Sequence, residues 1–264
     1  FPIYESKKRE LLLSKIEKII KEIEKNKVNI NILGGNIFKY SQMESLINYL
    51  NRTTYNIFYY FYYKDWIEGY SQQMISLINE YDTKIILVDF PYDEKHFKLW
   101  ESVIEQERIQ VVFIVETYKQ MEEAEIIINK FKLKNYIFRP YFNGNNYVFF
   151  KKNVFVSEED CLSVKESLFD LIAKKISNPT FFGKIFIDIQ ENVYSNINLL
   201  PVCNIDDLNL KHLIYNLITD ENSIWLKSKY KVAPCNECIY NLLCPPISNY
   251  ELVFGRNNLC NLNI

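Results

Sequence analysis

Residues 84–116, KIILVDFPYDEKHFKLWESVIEQERIQVVFIVE, decide the fold class. They read as strand, helix, strand. The two flanking runs are apolar and β-branched, while residues 93–107 place Phe97, Trp100, Val103 and Ile104 at helical spacing. Similar runs fall at 28–33, 56–62 and 135–141, so five strands begin 25 to 28 residues apart. The Tyr-rich stretch 55–63 is too short to cross a membrane and reads as one of them, a buried strand. Helical patterns fill the intervals. Residues 5–27 align Leu12, Ile16, Ile19, Ile20 and Ile23, and the segments 41–50, 68–80 and 119–132 carry similar stripes. A helix between two strands returns the chain to the same end of the sheet, so the strands are expected to be parallel. Five such strands suit either a partial βα barrel or a flavodoxin-like open sheet, and periodicity does not choose between them.

At 264 residues and 48% hydrophobic content, the chain can bury a full core as one large domain or as a large and a small one. A net charge of −2 offers nothing to a polyanion, which argues against nucleic acid or an anionic membrane as partner. No apolar run reaches membrane-spanning length. The excess of Ile, Lys, Asn, Tyr and Phe is what an AT-rich genome produces, so it carries no functional weight. Phe1 stands where an initiator methionine would, and further residues are expected ahead of it.

The second informative stretch is 234–260, PCNECIYNLLCPPISNYELVFGRNNLC. Its cysteines, Cys235, Cys238, Cys244 and Cys260, are spaced C-x2-C-x5-C-x15-C. A C-x2-C pair puts two sulfurs on one tight turn, and four thiolates suit tetrahedral Zn²⁺ or the four corners of a [4Fe–4S] cluster. Zinc more often uses two C-x2-C knuckles, and the Cys244-Pro245 step recurs in iron–sulfur loops, yet spacing alone leaves both metals open. Disulfides are the lesser reading for a long chain with a cytosolic look and no signal peptide. Cys203 and Cys161 read as buried packing residues.

The order of elements adds a resemblance. Residues 181–198, FFGKIFIDIQENVYSNIN, form a hairpin pattern upstream of the cysteines, and residues 31–38, NILGGNIF, follow the first strand. Together these motifs resemble the pseudo-radical-SAM/SPASM proteins of Bacteroidetes peptide-maturation systems, within the radical SAM/SPASM peptide maturase superfamily. The resemblance implies an α/β fold: an incomplete radical-SAM-like barrel over 1–155 lacking its first strand, a linker helix over 156–180, and a SPASM-like module over 181–264. It implies a single [4Fe–4S] cluster on Cys235, Cys238, Cys244 and Cys260, with Zn²⁺ as the alternative. A second, inner cluster of the family would need cysteine where this chain has Asn196 and Ser248. The Gly-Gly-acid element that holds S-adenosylmethionine in the family reads Gly34-Gly35-Asn36 here. An amide lacks the charge of the acid, and charge-assisted hydrogen bonds are about twice as strong, so S-adenosylmethionine is not expected to bind well. No C-x3-C-x2-C motif occurs in these residues. The implied role is an accessory or binding component, cytoplasmic, whose partners are a precursor peptide or a co-encoded maturation enzyme. A catalytic maturase whose cysteine loop lies outside these residues and a zinc-stabilised scaffold are the alternatives.

Lesser candidates stand at strand ends. Asp89, Glu116 and Arg139 lie where α/β ligands bind, but helix capping or a solvated edge is the better reading of each. Residues 143–146, Asn-Gly-Asn-Asn, signal a turn leaving the sheet. Ser157 and Asp160 suggest a capping box opening a helix over 156–176, with a break at 178–180. His96 and His212 fall in helical segments without a catalytic partner at recognisable spacing.

Overall fold

The computed structural model describes residues 10–23, 28–71, 74–78, 80–92 and 108–262. The chain divides into two compact units. One comprises Phe1–Leu13 and Glu24–Asn153, the other Ser14–Ile23 and Val154–Ile264.

The first unit is built on five strands: β1 (Asn29–Ile32), β2 (Asn56–Tyr62), β3 (Thr83–Val88), β4 (Ile109–Val115) and β5 (Tyr136–Pro140). Each falls on an expected run. They are all parallel and lie side by side in chain order, β1-β2-β3-β4-β5. A flavodoxin-like sheet would reverse at a switch point and place β1 inside, so that alternative is excluded. With right-handed crossovers, strands that never reverse direction across the sheet carry their connections on one face.

Strand register makes the two faces unequal. Tyr59 pairs with Lys84 and Lys84 with Ile109, so Ile57, Tyr59, Phe61, Ile86, Val88, Val111, Phe113 and Val115 share one face, all buried. The helices Met43–Leu50 and Tyr118–Phe131 each bury one apolar stripe, Leu46, Ile47 and Leu50 on the first and Ala124, Ile127 and Ile128 on the second, and the second helix packs on β4. Lys84 is also buried on that sheet face. Its ammonium donates to the Glu80 carbonyl, and burial lowers its pKa against the pull of Asp82. The opposite face is a thinner cluster in which Ile85, Leu87 and Val112 are buried beneath half-buried Phe58, Tyr60, Tyr62 and Ile114.

Two helices depart from expectation. The helix expected over 68–80 begins earlier, at Tyr63 directly after β2, and ends at Ser71, followed by a 3-10 turn at Met74–Leu77. Asp65 in its first turn complements the helix dipole, which favours that earlier start. The helix expected over 156–176 is two, Glu158–Ser163 and Leu168–Ile176. Both open with a full capping box, Ser157 with Asp160 and Ser167 with Asp170, so the second serine starts a new helix instead of continuing the first. The helix expected over 93–107, with His96, lies outside the described residues.

The second unit carries a small antiparallel sheet of β6 (Phe186–Ile187), β7 (Asn192–Tyr194) and β8 (Cys203–Asn204). The expected hairpin is β6–β7. Asp188 organises its turn by accepting hydrogen bonds from the amides of Gln190 (2.8 Å) and Asn192 (2.9 Å) and from the Tyr194 hydroxyl (2.7 Å). Asn178, in the expected break, is fully buried and donates to the Ile247 carbonyl at 3.1 Å. Trp225 closes the same region, its indole N–H donating to the Lys184 carbonyl at 3.1 Å.

Gly69, inside the helix after β2, is the one glycine where an added Cβ would meet a neighbour. A Cβ there would stand 2.3 Å from the Phe38 ring, which stacks on Phe61 with ring centroids 5.2 Å apart. Helix propensity alone favours alanine by about 1 kcal/mol. Overpacking a ring already held by a neighbour costs about 1–3 kcal/mol. Gly69→Ala is therefore expected to lower stability in urea unfolding, and pairing it with Phe38→Leu to recover most of the loss.

Candidate metal centre

Three backbone devices gather the cysteines. A 3-10 turn at Cys235–Glu237 brings the Cys238 amide onto the Cys235 carbonyl at 3.0 Å, fixing the C-x2-C pair on one turn. The next turn places the amides of Leu243 and Cys244 on the Tyr240 carbonyl, both at 2.9 Å. The helix Asn249–Phe254 ends on Gly255 in the left-handed region (φ 65°), which reverses the chain and brings Cys260 back. Val156 then forms a parallel bridge with Cys260, its amide on the Leu259 carbonyl and its carbonyl taking the Asn261 amide, each at 2.9 Å.

The sulfurs sit in distinct surroundings. Cys235 and Cys244 are buried, and Cys238 and Cys260 partly so. The Cys238 Sγ accepts the Tyr240 amide at 3.4 Å, and the Cys260 Sγ accepts the Asn258 side-chain amide at 3.8 Å. The Cys235 thiol points to the Asn257 carbonyl at 3.7 Å. Burial pushes the Cys244 thiol up to about 12, helped by a hydrogen bond with Cys161 and opposed by Lys229. Burial also raises Cys235, again opposed by Lys229. Cys161, expected as a packing residue, is 1% exposed, and its Sγ lies 3.4 Å from that of Cys244. Cys203 stands apart on β8, partly exposed, its thiol raised by burial and by Asp207.

Lys229 is the cation of this site. It is buried and pairs with Glu251 at 3.2 Å, both side chains about 5% exposed. Neither residue drew attention in the sequence, because a lone Lys or Glu is usually solvated. Lys174 adds a second ammonium, which donates to the Cys244 carbonyl at 3.0 Å and pairs with Glu166.

The donor chemistry fits a thiolate-bound metal. Two sulfurs accept N–H hydrogen bonds, and a buried ammonium offsets the negative charge that bound thiolates carry. Cys235, Cys238, Cys244 and Cys260 would hold it. Among the described residues no three His, Cys, Asp or Glu side chains are closed into ion-binding geometry. Cys235 lies within electrostatic reach of Cys238 and Cys260, and Cys244 of Cys238.

The two positions that differ from the double-cluster pattern are built into the protein. Ser248 caps the helix Asn249–Phe254, and its amide (2.9 Å) and hydroxyl (2.6 Å) both donate to Glu251. Asn196 is fully buried. Its side-chain amide donates to Asn249 at 2.9 Å, and its carbonyl oxygen accepts the Asn198 amide at 2.9 Å. Asn196 and Ser248 are thus each committed to hydrogen bonds, on side chains that meet at the start of the helix Asn249–Phe254.

In the first unit, Gly34 and Gly35 adopt positive φ (86° and 65°) and turn the chain out of β1. Asn36 is occupied at both ends. Its oxygen accepts the Phe38 amide at 2.9 Å, and its side-chain N–H groups reach Asp65 at 3.0 Å and Glu68 at 3.3 Å. Burial holds Asp65 above the usual carboxylate range, against Lys39, which pairs with Glu68 at 3.0 Å. Glu116 takes the Asn143 side chain at 2.7 Å within the expected 143–146 turn, and Thr117, not Glu116, caps the following helix. Asp89 buries one carboxylate oxygen that has no hydrogen-bond partner among the described residues. Burial raises the Tyr60 hydroxyl, and the charge of Arg139, at the end of β5, opposes that shift. His212 lies on the helix Leu210–Thr219 with its Nδ1 3.4 Å from Asn216. Within the first unit, a cleft of about 320 Å³ opens at the amino ends of the strands, beside Asn56, Asp82 and Arg108, at the opposite end of the sheet from Asn36 and Asp89.

Among the described residues no helix is long and apolar enough to cross a membrane. Comparison with protein-family models, with curated proteins and with solved structures gives no match. The family resemblance therefore rests on the motif residues alone.

Two outcomes follow from the electrostatics. Lys229→Met leaves Glu251 buried without its cation, and breaking such a pair costs about 3–5 kcal/mol, readable by urea unfolding. Lys229→Met with Glu251→Gln should regain much of that. In metal-free protein, the raised Cys244 thiol contributes stability that is present below its ordinary value of 9 and lost as pH rises toward 12. The urea midpoint should fall between about pH 8 and about pH 10.5, and fall less in Cys244→Ala.

Proposed function

We propose that this chain is a degenerate radical SAM/SPASM iron–sulfur protein that serves as an accessory or binding component in the maturation of a ribosomally synthesised peptide. One observation carries the reading. Cys235 lies within electrostatic reach of Cys238 and Cys260, and Cys244 of Cys238, while the inner-cluster positions, Asn196 and Ser248, are each taken up by hydrogen bonds. Loss of one ligand set with retention of the other points to selection for a single metal centre. The chain-order parallel sheet agrees with an incomplete βα barrel.

A [4Fe–4S] cluster held by Cys235, Cys238, Cys244 and Cys260 would supply one-electron chemistry and a local brace, with all four irons ligated by protein. The chain's own residues bury two of those thiols, donate N–H groups to the other two and place Lys229 beside them. Reductive cleavage of S-adenosylmethionine needs an open iron, and no C-x3-C-x2-C loop occurs in these residues. Asn36, at the position of the family's acid, is committed to Phe38, Asp65 and Glu68. A binding role is supported by the helix Leu168–Ile176, which exposes Leu168, Phe169 (78%), Ile172 and Ile176 as one apolar strip. Such strips mark contacts with other proteins. The partner is a precursor peptide or a co-encoded maturation enzyme.

Anaerobically purified protein is expected to hold about four irons and four sulfides per chain. Cys235→Ala or Cys260→Ala should remove them and loosen the second unit in limited proteolysis. Stoichiometric zinc without iron would replace this reading with a zinc-stabilised scaffold. Reduced protein given S-adenosylmethionine should form no 5′-deoxyadenosine above background, and robust formation would make it an enzyme.

A further inference from the structure

Cys161 lies 83 positions before Cys244 in the chain, yet their sulfurs touch. The contact is held from several sides. The capping box at Ser157 starts the short helix that carries Cys161. The Val156 bridge ties the entry of that helix to Cys260, and Glu158 accepts the Tyr240 hydroxyl from the loop between Cys238 and Cys244. Val156, Cys161 and Cys244 form one buried cluster, with Tyr240, Leu243, Cys260 and Leu262 packed against it.

We propose that Cys161 is a positioning residue of the metal centre: its thiol donates an S–H···S hydrogen bond to the sulfur of Cys244. The proposal rests on the metal-binding reading above. A metal-bound Cys244 has no proton, so across this 3.4 Å contact only Cys161 can donate. Four cysteines already complete a tetrahedral ion or the corners of a cluster, which leaves the fifth outside the coordination shell. Hydrogen bonds to ligating sulfur orient the ligand and stabilise the more negative, reduced state of an iron–sulfur cluster.

The test compares anaerobically loaded wild-type protein with Cys161→Ser, which keeps a donor, and Cys161→Val, which is similar in size but has none. All three should bind metal at the same stoichiometry. Cys161→Val should release it to a chelator about tenfold faster or more, as removal of an outer-shell partner does. When iron is bound, its midpoint potential should also move negative, while Cys161→Ser stays near wild type on both measures. Thermal unfolding of the metal-free variants reads packing separately from metal retention. Wild-type release and potential in Cys161→Val would overturn the proposal and leave Cys161 a packing residue. Loss of metal stoichiometry in both variants would overturn it in favour of Cys161 as a ligand. Absence of metal from wild-type protein would instead remove the reading beneath it.

Discussion

The second unit depends on the ion pair between Lys229 and Glu251. Two opposite charges are withdrawn from water together, and neither is tolerable without the other. Glu251 also takes the amide and hydroxyl of Ser248, which starts the helix leading to Gly255 and the return of Cys260. Asn249, next in line, binds Asn196 and Asn198 beside the β6–β7 hairpin. On its other side Lys229 lowers the cost of charge on Cys235 and Cys244. One buried pair therefore links the hairpin, a helix start and the thiols. That is a strong reason for the pair to exist, because a buried salt bridge adds little stability for its own sake.

The first unit follows a different logic. Its strands are held mainly by apolar burial, most completely on the face of Tyr59, Ile86 and Phe113. Central strands β3 and β4 are buried almost throughout, as parallel strands are. The half-buried aromatic rings of β2 on the other face leave that surface apolar but incompletely packed. Polar groups collect at the carboxyl ends, where Asn36, Asp65, Glu68 and Lys39 satisfy one another.

The strands were legible because each is a short apolar run whose length and spacing admit few other readings. The Ser157 cap was legible for a similar reason, since its chemistry is local. The contacts that local pattern does not show run over long separations, although Cys161 is buried as expected of a packing residue. Cys161 is a single cysteine on a helix, and no spacing rule connects it with a cysteine 83 positions away. Lys229 and Glu251 look like ordinary surface charges until the fold buries them. The helix expected over 156–176 failed at Ser167, where a second local cap outweighed the continuing apolar stripe. Asn36 was read as a weakened ligand, whereas Asp65 and Glu68, on the helix after the next strand, take up its amide.

The bridge between Val156 and Cys260 brings the two ends of the stretch 156–260 together. Residues just inside its entry lie hydrogen-bonded beside those at its far end, over a hundred positions later in the chain. A unit with adjoining ends can be inserted into a loop of a host domain without stretching either chain. With Val156 and Cys260 paired, the stretch 156–260 presents both of its ends at one point, which is the geometry an inserted segment needs.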